Sequence, residues 1–284
     1  MVRVIINADD LGKNQAVNAA IADGISRNCI TSTTILANTT LWDEVHNIVS
    51  SYPHASYGVH LNLTEGKSLL NSEILRLNNI IDEQGNFTGS IRKTRYWKDR
   101  ILNSIYEEWD AQIHLVKNIE GIAITHLDGH HHIHNDLIFA KILEALCKKY
   151  GIQAIRNKYH SPINGLRKVI GIPCKLMALI IPCSNGFQTK ASDYKVVKYI
   201  KSQIEYYHWR NDVKSLIIPD YFDSYESALK RSEVYNGCRD NEVLELMCHP
   251  GHPNYSDEFS MVMRSEFQRK SECILISYRD LISE

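Results

Sequence analysis

The sequence predicts an α/β protein, a single-domain, distorted (β/α) barrel of the TIM type spanning residues 1–284. Short β-rich apolar runs alternate with helical periodicities along the chain, which is the rhythm of a parallel sheet. About eight such runs occur, a number that suits a barrel better than an open doubly wound sheet. No G-x-G-x-x-G or Walker sequence is present, which weakens a nucleotide-binding reading.

The elements follow in order. VRVIIN reads as a strand and Gln15–Ser26 as a helix, with Val17, Ala20, Ile21 and Ile25 on one face and Asn14 as its cap. TTILAN and a helix over Leu41–Ser51 come next, then the strand SYGVHLNLT. IAITHLD reads as a strand leading to a helix over Asp136–Tyr150, striped by Ile138, Ile142, Leu143 and Leu146 and stopped at Gly151. The later strand candidates are QAIRN, SLIIPD, VLELMCHPG and CILIS. Two stretches, 67–97 and 158–192, break the rhythm and read as insertions over one face of the single domain.

Composition narrows the partners. A net charge of -1 and a pI near 6.9 give no basic field for nucleic acid and no polybasic membrane signal. The apolar stretch Val169–Cys183 is interrupted by Lys175 and broken by Pro173 and Pro182, too short and kinked to span a bilayer. It reads as a buried, lid or oligomer surface, which leaves a homodimer open. Seven scattered cysteines without a C-x-x-C pair, and an opening MVRVIINADD without the zones of an export signal, point to reduced thiols in a cytoplasm. The expected partner is a small or neutral molecule.

Four motifs fall at the carboxyl ends of expected strands, and in a parallel barrel those ends open on one face. They are NADDLG (Asp9, Asp10), GVHLNLTEG (His60), THLDGHHHIH (His126 to His134) and MCHPGH (His249, His252). An acidic pair before a helix is by itself most often a cap, and a lone His60 most often a satisfied core histidine. Together they supply what a metal hydrolase needs: one aspartate to ligate an ion, another to take a proton from water, and imidazoles to complete the ligand set. Asn62 and Thr64 share the His60 side of their strand. In extended chain His126, Asp128 and His130 lie on one face, whereas a helix beginning near His130 would stack it with His134; either geometry can ligate, and the remaining residues of the run would orient the ligands. His249, held by the Pro250-Gly251 turn, is the candidate general acid, because imidazole titrates near neutrality.

With these motifs in order, and with SYRDL at the end, the chain resembles the YdjC-like carbohydrate deacetylases, the family of the ChbG-type chitooligosaccharide deacetylases, over essentially its whole length. The resemblance implies a barrel related to polysaccharide deacetylases, one divalent ion (magnesium or zinc), and removal of the N-acetyl group from an amino sugar or oligosaccharide with release of acetate. It further implies Asp10, His60 and His130 as ligands, Asp9 as base and His249 as acid. His126, Asp128, His132, His134 and Arg156 would then serve as supporting or substrate-contacting residues. Rival readings are a metal-dependent phosphoesterase or other amidohydrolase on a similar barrel, and a non-catalytic sugar-binding or metal-storage protein.

Overall fold

A computed structural model describes residues 1–94, 96–157, 195–235 and 241–284. The insertion expected over 158–192, with its apolar stretch, lies outside the described residues. The chain begins with β1 (Val2–Leu11), α1 (Gln15–Ser26), β2 (Ser32–Ile35), α2 (Trp42–Ser51) and β3 (Ser56–Leu61). After α3 (Glu73–Leu77) and α4 (Asp99–Lys117) come β4 (Ile124–Gly129), a 3₁₀ turn over His130–Asn135, α5 (Ala140–Tyr150) and β5 (Ala154–Ile155). The rest comprises α6 (Lys195–Asp212), β6 (Tyr221–Ser224), α7 (Tyr225–Lys230), α8 (Ser232–Tyr235), β7 (Val243–Cys248), α9 (Ser256–Met263), α10 (Glu266–Lys270), β8 (Cys273–Leu275) and α11 (Tyr278–Ile282).

The strands form one sheet in the order β5-β4-β3-β2-β1-β7-β6, with β8 also paired to β1, and every pairing is parallel. A single parallel bridge from Ala154 to Ile217 carries the β5 edge back to the chain entering β6. The sheet is therefore a curled, distorted barrel, as the strand-helix rhythm implies. β8 wedges beside the start of β1 (Val2↔Cys273, Val4↔Leu275), while β2 pairs the end of β1 (Asn7↔Ser32, Ala8↔Thr33).

Period-two alternation sorts the strand residues. Val4, Ile6 and Ala8 face outward and join the main hydrophobic core with Leu127, Leu244 and Leu246, under the helices. Ile5, Ala154, Val243, Tyr278 and Leu281 form a second, small apolar cluster at the floor of the barrel. Above that floor the inward positions are polar: Asn7, Asp9, His60, His126, Asp128, Arg156 and Glu245 are all buried. Gly58 makes room among them, since a Cβ there would lie 2.7 Å from both the His126 ring and its carbonyl oxygen.

Several local expectations hold. Asn14 accepts a hydrogen bond from the Val17 amide at 3.0 Å, capping α1, and Gly151 ends α5 in the left-handed conformation at φ 69°. Others shift. The helix expected from Asp136 starts at Ala140, because Leu137–Phe139 forms a 3₁₀ turn first. SLIIPD contributes only the bridge at Ile217, and the regular strand begins at Tyr221; Pro219 has no N–H to donate to a ladder. The longest described helix, α4, was not anticipated. Its stripe of Ile101, Ile105, Trp109, Ile113 and Val116 is fully buried, and Glu108 on it accepts the Leu69 and Leu70 amides at 3.0 Å each, tying the 67–97 insertion to the barrel.

Candidate metal centre and active site

The bulge at the end of β1 creates the site. Between Ala8 and Leu11 the register with β2 shifts by one residue, and Asp10 takes a left-handed backbone at φ 73°. Simple alternation would send Asp10 away from Asp9; a bulge re-aims the extra side chain. Both aspartates therefore line one cleft of about 480 Å³, together with Lys13, His60, His130, His132, His249 and Tyr255.

Asp10 Oδ1 lies 2.9 Å from His130 Nδ1 and 3.4 Å from His60 Nε2, and it is a buried oxygen that accepts no hydrogen bond of acceptable geometry. Ligand atoms about 2.1 Å from a common ion sit roughly 3.0–3.4 Å apart, so these three side chains fit a divalent cation. The far nitrogen of each imidazole is occupied. His60 Nδ1 meets Asp128 Oδ1 at 2.7 Å and His130 Nε2 meets Glu65 Oε2 at 2.8 Å, the carboxylate-imidazole support usual behind metal ligands. Thr34 in turn donates to Asp128 at 3.1 Å. Burial alone would lower the His60 pKa, yet Asp128, Asp9 and Asp10 push it up to about 9. That surplus of negative charge is what a cation offsets.

Asp9 is gripped differently. Arg156 donates to its two oxygens through Nη1 at 2.8 Å and Nη2 at 2.6 Å, and Asn7 adds a bond at 2.9 Å. Against a burial effect that would raise it, the Arg156 guanidinium holds the Asp9 carboxyl well below the usual carboxylate range. Arg156 is itself fully buried, bonds Glu245 through Nε at 2.8 Å, approaches Asp128 at 2.8 Å and lies over the Phe222 ring at 5.0 Å. Burial pushes the Glu245 carboxyl up to about 7, with Arg156 and the Tyr278 hydroxyl opposing.

Across the cleft, the His249 ring stacks on Tyr255 (4.6 Å between centroids, 22°), and its Nδ1 faces Glu258 at 3.8 Å. Glu258 also accepts the His249 amide at 2.8 Å. Burial would lower the His249 pKa, but Glu258, Asp9 and Asp10 raise it above the ordinary imidazole value. Gly251 of the same turn abuts α1, where a Cβ would sit 2.4 Å from the Ala16 carbonyl oxygen.

The histidine run divides. His130 joins Asp10 and His60, and Asp128 stands behind His60. His131 and His132 have left-handed backbones (φ 52° and 56°), so no helix stacks His130 on His134. His132 lines the cleft against Phe222, its pKa lowered to about 3 by burial. His134 turns into the protein, fully buried, away from the ligand group. His126 lies deeper, bonded to Asn7 and Thr125 and stacked on Tyr278. Asn62 and Thr64 are structural: Asn62 Oδ1 accepts the Thr64 and Glu65 amides, building the loop that brings Glu65 to His130. Reading the sequence missed Lys13, Glu65, Glu245 and Glu258. Glu245 was accessible, because it alternates in phase with the floor residue Val243; Glu258, nine residues beyond His249 and on α9, carried no local signal.

A parallel barrel with a carboxylate and two imidazoles converging at its carboxyl end defines a class of candidate metal-site proteins. Within it the chain belongs to the YdjC-like family, whose model matches residues 3–276. A carbohydrate deacetylase of Halalkalibacterium halodurans is 32% identical over 171 residues, covering 58% of this chain and 68% of the relative. One of Vibrio cholerae is 32% identical over 152 residues, 53% of this chain and 57% of the relative. The matched stretches thus span from just over half to about two thirds of these relatives. A crystal structure from Enterococcus faecalis V583, of a protein whose name refers to cellobiose-phosphate cleavage, shares the fold at a TM-score of 0.67 and 22% identity, covering 99% of this chain and 98% of that one. Among the described residues no helix is long and apolar enough to cross a membrane.

Proposed function

We propose that the protein is a metal-dependent carbohydrate deacetylase that hydrolyses the N-acetyl group of an amino sugar or chitooligosaccharide. The observation that carries this reading is the division of labour between the two neighbouring aspartates: Asp10 faces two imidazoles while Asp9, beside it, faces an arginine. The names of the curated relatives support it.

Asp10, His60 and His130 would hold the ion, which when bound supplies Lewis acidity to the acetyl carbonyl and to water. Two imidazoles and one carboxylate suit zinc, cobalt or nickel better than magnesium, which prefers oxygen donors. Asp9 accepts the proton of the attacking water. Arg156 keeps that carboxylate ionised and aimed. His249, which lines the cleft with Nδ1 toward Glu258, protonates the sugar amine as the C–N bond breaks. Acetate and the free amine leave.

The test is acetate release from N,N'-diacetylchitobiose by protein stripped with chelator and resupplied with zinc, cobalt, nickel, manganese or magnesium. Restored acetate with the nitrogen-preferring metals is expected, and none with any ion would overturn the reading. The trio Glu65, His130 and His131 could also gather an ion; two metals per chain by elemental analysis would favour the phosphoesterase alternative.

A further inference from the structure

The SYRDL ending has no part in the chemistry above, yet its tyrosine reaches the candidate base by two routes. Tyr278 opens α11 at the amino end of the barrel, opposite the cleft, where its amide bonds Ser32 and the Arg279 amide bonds Ser56, at the starts of β2 and β3. Its hydroxyl donates to Glu245 Oε2 at 2.6 Å, Glu245 Oε1 takes Arg156 Nε at 2.8 Å, and Arg156 forks onto Asp9. Its ring face stacks on His126 at 3.7 Å and 9°, His126 Nε2 lies 3.1 Å from Asn7 Oδ1, and Asn7 donates to Asp9 Oδ1 at 2.9 Å. The contacts close a ring through six side chains, none more than 2% exposed.

The guanidinium is held at its fork by Asp9 and Asp128 and at Nε by Glu245, and each added anchor narrows the orientations open to it. We propose that Tyr278 and Glu245 are positioning residues for Asp9, acting from the far end of the barrel by fixing the Arg156 fork and the Asn7 amide on its carboxylate. The proposal rests on the reading of Asp9 as the catalytic base.

Tyr278→Phe keeps the ring and its stacking and removes only the hydroxyl. The expected result is a fall in kcat on the order of tenfold, the scale of one lost hydrogen bond to a charged network, with KM and metal content unchanged. Glu245→Leu should lose more, and Glu245→Gln, which can still bond Arg156, should recover part of that loss. Arg279→Ala loosens α11, whose Arg279 side chain bonds the Pro53 and Ala55 carbonyls, and should lower thermal stability without lowering kcat per folded molecule. Full kcat in Tyr278→Phe, or an equal kcat loss in Arg279→Ala, would overturn the proposal. If the wild type releases no acetate, the deacetylase reading fails separately, and crystal structures decide the positioning: an Arg156 fork unmoved on Asp9 in Tyr278→Phe refutes it, and a displaced fork supports it.

Discussion

On the proposed reading, substitutions at Asp9, Glu65 and Glu258 separate ion binding from chemistry at the level of single residues. Asp9→Asn keeps the Arg156 and Asn7 neighbours and leaves the Asp10, His60 and His130 group untouched, so metal content should persist while turnover falls by roughly two to four orders of magnitude; metal analysis beside a kinetic assay checks both halves. Glu65→Gln weakens the support behind His130, and zinc titration should show affinity reduced about 10–100-fold. As the proposed acid His249 must be protonated, so activity should be present below its pKa and lost as pH rises through it. Because Glu258 helps raise that pKa, Glu258→Gln should move the basic limb of the kcat/KM profile to lower pH, while its amide oxygen can still take the His249 N–H. The candidate ligands, base and acid could be picked out because each sits in a motif at the end of an expected strand. Asp9 and Asp10 could not be told apart from spacing alone, since the bulge that turns both into one cleft is a property of the pairing with β2.

Secondary-structure elements were legible where the local pattern decided them. The α1 boundaries, the Asn14 cap and the Gly151 stop follow from neighbours in sequence. The start of α5 did not, because Leu137–Phe139 forms a 3₁₀ turn ahead of it. The stripe of α4 was present in the sequence at three- and four-residue spacing and was overlooked beside a polar insertion. Packing between elements is close where β3 meets β4, since a Cβ on Gly58 would lie 2.7 Å from the His126 ring. Gly58→Ala should force His126 and its strand apart, costing about 1–3 kcal/mol of stability, measurable as a lower urea midpoint with an unchanged m-value.

Charge couples the site to the stability of the whole barrel. Asp9, Asp10, Asp128 and Glu245 converge around Arg156 and His60 in a buried interior. A cation that binds only the folded state adds about 2.7 kcal/mol at a hundredfold excess over its Kd. Chelation should therefore lower Tm by several degrees, and added zinc should restore it in a concentration-dependent way; a Tm indifferent to both would remove the ion from the fold.

Alternation along β1 places two kinds of demand on one strand. Val4, Ile6 and Ala8 answer to the packing of helices, while Ile5, Asn7 and Asp9 answer to the floor and the cleft. Two physical demands are thus interleaved on one ribbon, each reading every other letter. Exchanging aliphatic side chains on one register leaves the cleft residues in place, and changing the other leaves the packing under the helices in place.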